Sequence, residues 1–256
     1  MSISPEQLKL LVKEEAQQLF PLIRTIRRHL HQHPELSFEE FETSKYLQQI
    51  LQNHALSFTN GWAGTGIRAV LTGNGQGKTL ALRGDMDALP IQETSQTEYT
   101  SQHTGVMHAC GHDVHSACVL GASIILQKLR EHWAGEVLVV FQPGEEKLPG
   151  GARLMLEAGV FEDKVPSSVM AQHVFPSLPA GKVGFRAGTY MASTDEIYIT
   201  VRGKGGHGAM PQQVNDPILA SAQIILALQQ VTSRLALPGV PTVLTIGKVI
   251  AEGATN

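Results

Sequence analysis

The sequence predicts an α/β protein: a largely parallel, mixed sheet flanked by helices, followed by a smaller α+β domain. Three observations predict it. Strand-like runs alternate with helical patterns as far as about residue 188, the arrangement that builds a parallel sheet with helices across its faces. One run, "EVLVVFQP", is apolar without alternation, as a strand buried on both faces must be. Beyond residue 190, "DEIYITVRGKG" alternates apolar with polar residues, which suits a strand with one wet face.

The elements follow in order. Ile23, Ile26 and Leu30 recur at helical spacing, and "HPEL" closes that helix, because a residue before proline avoids the helical basin. A second helix runs through "FEEFETSKYLQQILQN". "GIRAVLTG" and "KTLALRGDM" read as strands, and the Gly/Asn-rich "GNGQG" between them reads as a hairpin or tight loop. Residues 87–107 have little periodicity, and long loops without structure of their own are often functional. In "HDVHSACVLGASIILQKLREH", Val114, Cys118, Ala122, Ile125 and Leu129 step by three and four, a helix. "GGARLMLEAG" is a short helix ending at Gly159, and "SSVMAQHV" is a further strand. The second domain opens with the alternating strand. A long helix, "DPILASAQIILALQQVTSRL", follows, with Asp216 as N-cap and Pro217 in its first turn. "TVLTIGKVIAEG" is its last strand. The expected boundaries are 1–188 and 189–256.

Composition narrows the setting. The chain has 256 residues, 42% hydrophobic and 17% charged, enough for a sizeable core. A formal net charge of -3 leaves no basic footprint for nucleic acid and no polybasic membrane signal. Two cysteines, Cys110 and Cys118, make no disulfide framework, and a reducing compartment, the cytoplasm, is expected. The N-terminus has no basic and apolar leader pattern, so no signal peptide is expected. No apolar run approaches the ~18 residues of a membrane span.

Four groups of chemical residues fall at corresponding places. "RGDMDALP" follows the strand "KTLAL", "HACGHD" opens a helix, "QPGEEKLPGG" follows "EVLVVF", and "AQHV" ends the strand "SSVM". Ligands of open α/β sheets bind beyond the carboxyl ends of the strands, so the four groups are expected to meet in one crevice. Each alone has an ordinary alternative. Cys110 and His112 could be a buried cysteine beside a loop histidine, Glu145 and Glu146 a solvated turn, His173 a core histidine, and Asp85 and Asp87 turn caps. A metal site and a nucleophilic cysteine with its base both remain open on these residues.

The motifs "RRHLHQHPELSFEEFET", "RGDMDALPI", "MHACGHDVH", "QPGEE", "GKGGHGAMP" and "GATN" together resemble the N-acyl-amino-acid amidohydrolases. That group includes hippurate hydrolase and the indoleacetyl-amino-acid hydrolases, within the dinuclear metallopeptidases of the aminoacylase and carboxypeptidase type. The resemblance covers essentially the whole chain. It implies a metal-binding catalytic domain with an inserted lid domain that often mediates dimerisation, here incomplete. It further implies that Cys110, His112, Glu146 and His173 ligate two divalent ions, zinc or manganese above cobalt or nickel. Glu145 matches the general base, and Asp87 the acid that orients a ligand. Asp85 stands where relatives carry a ligating histidine. His207 and Asn256 match lid residues that reach the substrate. The family's last histidine ligand has no counterpart here, so the 256-residue chain by itself is expected to be inactive.

These residue types suit amide hydrolysis, which needs an activated water and a place for oxyanion charge. The expected activity is cleavage of an N-acyl amino acid to a carboxylate and a free amino acid, by a homodimer joined through the lid. Alternatives are a deacylase of the N-acetyl-diaminopimelate type, a dipeptidase, a cysteine hydrolase using Cys110, or an inactive fragment that keeps only the fold or the dimer contact.

Overall fold

The computed structural model describes residues 3–188, 190–191 and 193–253. They divide into two compact units, Met1–Val183 and Gly184–Asn256.

In the first unit, α1 spans Pro5–Gln32. Ser4 caps it: its hydroxyl accepts from the Gln7 amide, and the Gln7 side chain accepts from the Ser4 amide. This reciprocal box satisfies two otherwise orphaned donors. The helix buries Ile26, Leu30 and His31 and stops before Pro34, as the sequence predicts. The next helix, α2 (Phe41–Asn53), has no cap from its own N-cap side chain. Glu35 caps it from outside, its carboxylate accepting from the amides of Glu42 (3.1 Å) and Thr43 (2.7 Å), where negative charge suits a helix start.

Five strands follow: β1 (Ser57–Trp62), β2 (Gly66–Thr72), β3 (Thr79–Asp85), β4 (Glu136–Gln142) and β5 (Ser168–Ala171). The sheet order is β1-β2-β4-β3-β5. β1 and β2 pair antiparallel, as do β2 and β4, whereas β3 runs parallel to both β4 and β5. The expected hairpin between β2 and β3 does not form. β4 inserts between them and pairs with both, so "GNGQG" is a crossover loop and half of the ladders are antiparallel. The central position of β4 explains its unbroken apolar sequence. Thr79↔Glu136 through Asp85↔Gln142 set the register of the parallel pair.

Between β3 and β4 comes α3 (His112–Lys128), packed against α1 and the sheet. Gly121 lets α1 approach: a Cβ there would stand 3.1 Å from Ile23. The core joins Ile26 and Leu30 of α1 to Leu47 and Leu51 of α2, Leu120 of α3, and Ile67, Leu71 and Phe141 of the sheet. A short helix, α4 (Gly151–Glu157), follows β4.

In the second unit, α5 (Pro217–Gln230) starts where expected. The Asp216 carboxylate accepts from the amides of Ile218 and Leu219 at 2.8 and 3.1 Å. The two strands expected here do not form among the described residues. "DEIYITVRGKG" and "TVLTIGKVIAEG" have no ladder partner beyond an isolated Lys204–Asn215 bridge. Strand alternation becomes a strand only when a neighbour supplies the hydrogen bonds, and Ile197, Tyr198 and Val243 are largely exposed. No helix among the described residues is long and apolar enough to cross a membrane.

Candidate metal centre

Because β3, β4 and β5 are parallel, their carboxyl ends face the same way. Asp85 ends β3 and Asp87 follows it, Glu145 and Glu146 follow β4, and His173 follows β5. The fourth group arrives through α3. Gly111 caps that helix in the left-handed region, at φ 88°, a turn that glycine takes without strain. The turn carries Cys110 on one side and His112 on the other.

The groups converge. Ligand atoms of Cys110, His112 and His173 lie within 4.8 Å of one another, and so do those of His112, Glu145 and Glu146. His112 is common to both sets. Glu145 and Glu146 lie in a bend three and four residues beyond β4, so the turn rather than strand alternation separates them. Glu145 is exposed and Glu146 half-buried.

The fully buried His112 is held from behind. Its Nδ1 lies 3.1 Å from Asp87 Oδ1. Asp87 Oδ2 accepts from the Ser37 hydroxyl at 2.7 Å and the Glu146 amide at 2.9 Å. Burial works to raise the Asp87 carboxyl, but these donors, His112 first, hold it below the usual range. An ionised Asp87 makes His112 Nδ1 the donor, which leaves Nε2 free as a ligand. That Nε2 is buried without a hydrogen-bond partner, 3.7 Å from Asp85 Oδ2 and 3.8 Å from Glu146 Oε1. Glu146 Oε1 is likewise buried and unpartnered.

Two unpartnered atoms facing each other are costly unless a proton or a metal cation lies between them. Burial disfavours a charged His112, but the Asp87, Asp85 and Glu146 carboxylates raise its pKa, so the pocket favours positive charge at that point. Charge points the same way. Burial, the adjacent Glu146 carboxylate, and then Glu145 and Asp85 push the Cys110 thiol up to about 12. Burial and the Glu146 charge also raise Glu145. A thiol, two imidazoles and two carboxylates crowded into negative potential form a donor set that fits divalent cations.

Asp85 is engaged elsewhere. Its Oδ2 lies 2.6 Å from an Arg83 guanidinium nitrogen and its Oδ1 2.7 Å from His115 Nδ1. Burial opposes ionisation, but His115, Arg83 and His112 bring its pKa down to about 2. His115 lies outside the expected site residues; its signal in the sequence is its place on the helix, three positions after His112. His207 belongs to the second unit, is exposed, and accepts from the Ala209 amide through Nδ1 at 3.1 Å. Asn256 lies outside the described residues.

These features define a helix-flanked mixed sheet with a cluster of candidate metal-ligating side chains at its carboxyl edge. The chain belongs to peptidase family M20/M25/M40, whose family model matches residues 81–253. It is 42% identical over 250 residues to an N-acyl-L-amino acid amidohydrolase of Geobacillus stearothermophilus, covering 96% of this chain and 67% of that protein. It is 40% identical to the IAA-amino acid hydrolase ILR1-like 2 of Arabidopsis thaliana, covering 98% of this chain and 56% of that one. A crystal structure of the Bacillus subtilis YXEP protein, a dinuclear metal binding peptidase from the M20 family, superposes with a TM-score of 0.64 at 39% identity. That match covers 67% of this chain and 48% of the other. The chain spans between 55% and 67% of the length of the first curated relatives it matches.

Proposed function

We propose that this chain supplies the main ligand cluster of a metal-dependent amidohydrolase that cleaves N-acyl amino acids to a carboxylate and a free amino acid. The observation that carries this reading is the facing pair of buried, unpartnered atoms, His112 Nε2 and Glu146 Oε1, in a cluster shared with Cys110, Glu145 and His173. Cys110, His112, Glu146 and His173 hold two divalent ions, zinc or manganese by donor type. When bound, such a pair lowers the pKa of a water and polarises the amide carbonyl.

The chain's own residues do the rest. Asp87 keeps His112 in its ligating tautomer. Glu145, exposed beside the cluster, accepts the water's proton and delivers it to the leaving amine, a role worth ~10²–10⁴-fold. His207 and Asn256 contact substrate, and residues 189–256 form a lid that joins two copies in a cytoplasmic homodimer. A cysteine-nucleophile mechanism is disfavoured, because burial and then the carboxylates around it, which together push Cys110 up to about 12, oppose a free thiolate.

The test pairs two substitutions. Glu145→Gln keeps bound metal and loses nearly all hydrolysis across a panel of N-acetyl, N-benzoyl and indoleacetyl amino acids; Glu146→Gln loses metal. Normal turnover in Glu145→Gln, or metal loss from it, overturns the assignment.

A further inference from the structure

His115 is fully buried one turn beyond His112. With Asp85 and His112 it forms a third group whose ligand atoms lie within 4.8 Å of one another, so it could pass for another metal ligand. Its hydrogen bonds argue otherwise. The Val174 amide lies 3.0 Å from His115 Nε2. A backbone N–H can only donate, so Nε2 is the acceptor and the ring proton sits on Nδ1. Nδ1 then donates to Asp85 Oδ1 at 2.7 Å, and Arg83 holds the other oxygen of Asp85. Both ring nitrogens are engaged, and neither is left for a cation.

The far end of this relay is His173. Beyond Ala171 the β3–β5 ladder has ended, and β5 is an exposed strand. The next anchor along the chain is Val174, whose N–H goes to His115. Its side chain seats on Gly111, where an added Cβ would stand 2.4 Å from Val174 Cγ2. The Val174 carbonyl lies 2.8 Å from His173 Nδ1. A carbonyl accepts, so Nδ1 carries the His173 proton and Nε2 is the acceptor that faces the Cys110 thiol, 3.4 Å from Sγ.

We infer that His115 is a positioning residue: the relay Arg83–Asp85–His115–Val174 fixes the backbone and the tautomer that aim His173 Nε2 at the metal centre. The inference rests on the reading of His173 as a ligand. It assigns His115 to the group behind the ligands, beside Asp87, which does the corresponding work for His112.

The two bonds of His115 can be separated. In His115→Gln the side-chain oxygen reaches the Nε2 position and accepts from Val174. In His115→Asn the amide nitrogen takes the Nδ1 position, donates to Asp85 and leaves Val174 unbonded. Zn²⁺ affinity is measured by competition with a chromophoric chelator, and the ligand field by the d–d absorption of bound Co²⁺, with urea melts of the metal-free protein as a control for folding. The Asn variant loses ~10–100-fold in Zn²⁺ affinity, the usual cost of a lost supporting bond, and its Co²⁺ spectrum shifts. The Gln variant recovers most of both.

Equal effects in the two variants, or none in either, overturn the relay. If the Asn variant does not fold, His115→Met takes its place, filling the space without either bond; wild-type affinity in that variant also overturns the relay. His173→Ala separates the two levels. If it leaves Zn²⁺ affinity unchanged, the ligand assignment itself has failed. If it weakens binding while the His115 variants do not, only the relay has failed.

Discussion

Replacing Asp87 by asparagine changes one atom and should reverse the chemistry of His112. The carboxylate serves three donors: Oδ2 takes the Ser37 hydroxyl and the Glu146 amide, and Oδ1 takes His112 Nδ1. An asparagine has one acceptor oxygen. Turned toward Ser37 and Glu146, that oxygen keeps two bonds; turned toward His112, it keeps one. The first orientation wins, and it points the new NH₂ at His112 Nδ1. Two donors cannot share that contact, so the imidazole moves its proton to Nε2, the atom that faces Glu146 Oε1.

A protonated Nε2 cannot ligate. Metal binding then requires the unfavoured tautomer and the loss of about one net hydrogen bond, ~1–1.5 kcal/mol, plus a donor–donor conflict. Together these place the loss at ~10–100-fold in affinity, or ~1.4–2.8 kcal/mol. Folding should be nearly indifferent. Two of three contacts survive, and removing a buried charge offsets part of what they lose, so the metal-free protein should change by less than ~1 kcal/mol. Chelator competition gives the first quantity and urea unfolding of metal-free protein the second. Unchanged metal affinity in a folded Asp87→Asn protein would refute the tautomer argument.

Two further predictions concern the scaffold. His31 lies between Asp113 (2.7 Å) and Glu93 (3.2 Å), and the bond to Asp113 raises its pKa above the ordinary 6.5. A raised histidine contributes stability that is complete below about pH 6.5 and is lost as pH rises through the folded value. Asp113 is held below 3.8 because His31 and nearby charges outweigh the burial that would raise it, so its contribution is lost only as pH falls through that lowered value. His31→Gln should therefore cost the metal-free protein ~1–2 kcal/mol at mildly acidic pH and less on the alkaline side. An equal loss on both sides of the histidine range in urea melts would disprove it. Gly144 adopts φ 53°, and an added Cβ would stand 2.4 Å from the Phe38 ring; Gly144→Ala should cost ~1–3 kcal/mol and weaken metal binding through the adjoining Glu145 and Glu146. An unaltered melting temperature with unaltered metal affinity would show that the ring moves aside freely.

Local patterns were legible wherever their cause is local. The apolar run of β4 and the Asp216 cap of α5 each depend on residues a few positions apart, and both formed. α3 formed too, but its buried face carries His112, Ser116, Val119, Leu120 and Ile124, whereas Cys118 of the expected three-and-four steps is exposed. The separation of β2 from β3 was not legible. The strand that separates them begins more than sixty residues beyond the end of β2, and nothing in "GNGQG" announces an insertion. The second-unit strands failed for a related reason: alternation specifies a face, whereas a strand also needs a partner. At the site, the strand-end positions of Asp87, Glu146 and His173 carried the information, because parallel strands share one carboxyl edge. Cys110 and His112 were visible as a motif. His115 is not legible as a site residue, because it sits inside a helix and its partner Val174 lies fifty-nine residues away.

The same long-range logic gives the segment "HPELSFEEF" a physical role. Glu35 caps α2 from outside the helix. The buried Glu40 accepts from the Thr65 hydroxyl at 2.6 Å, the Gly144 amide at 2.7 Å and the Phe38 amide at 2.9 Å. Burial raises the pKa of Glu40 even against these three donors, so the carboxylate is expensive to keep there and is retained for what it connects. It joins the start of α2, the start of β2 and the turn after β4. That turn carries Glu145 and Glu146. From the other side, Ser37 and the Glu146 amide meet on Asp87. One short stretch between α1 and α2 thus grips both ends of the Glu145–Glu146 turn through two buried carboxylates. The turn has no helix or strand of its own to hold it, and a ligand misplaced by about 1 Å can cost a site much of its function. The turn that carries Glu145 and Glu146 is therefore fixed by buried residues on other elements, which accounts for acids at positions where a core would otherwise prefer apolar side chains.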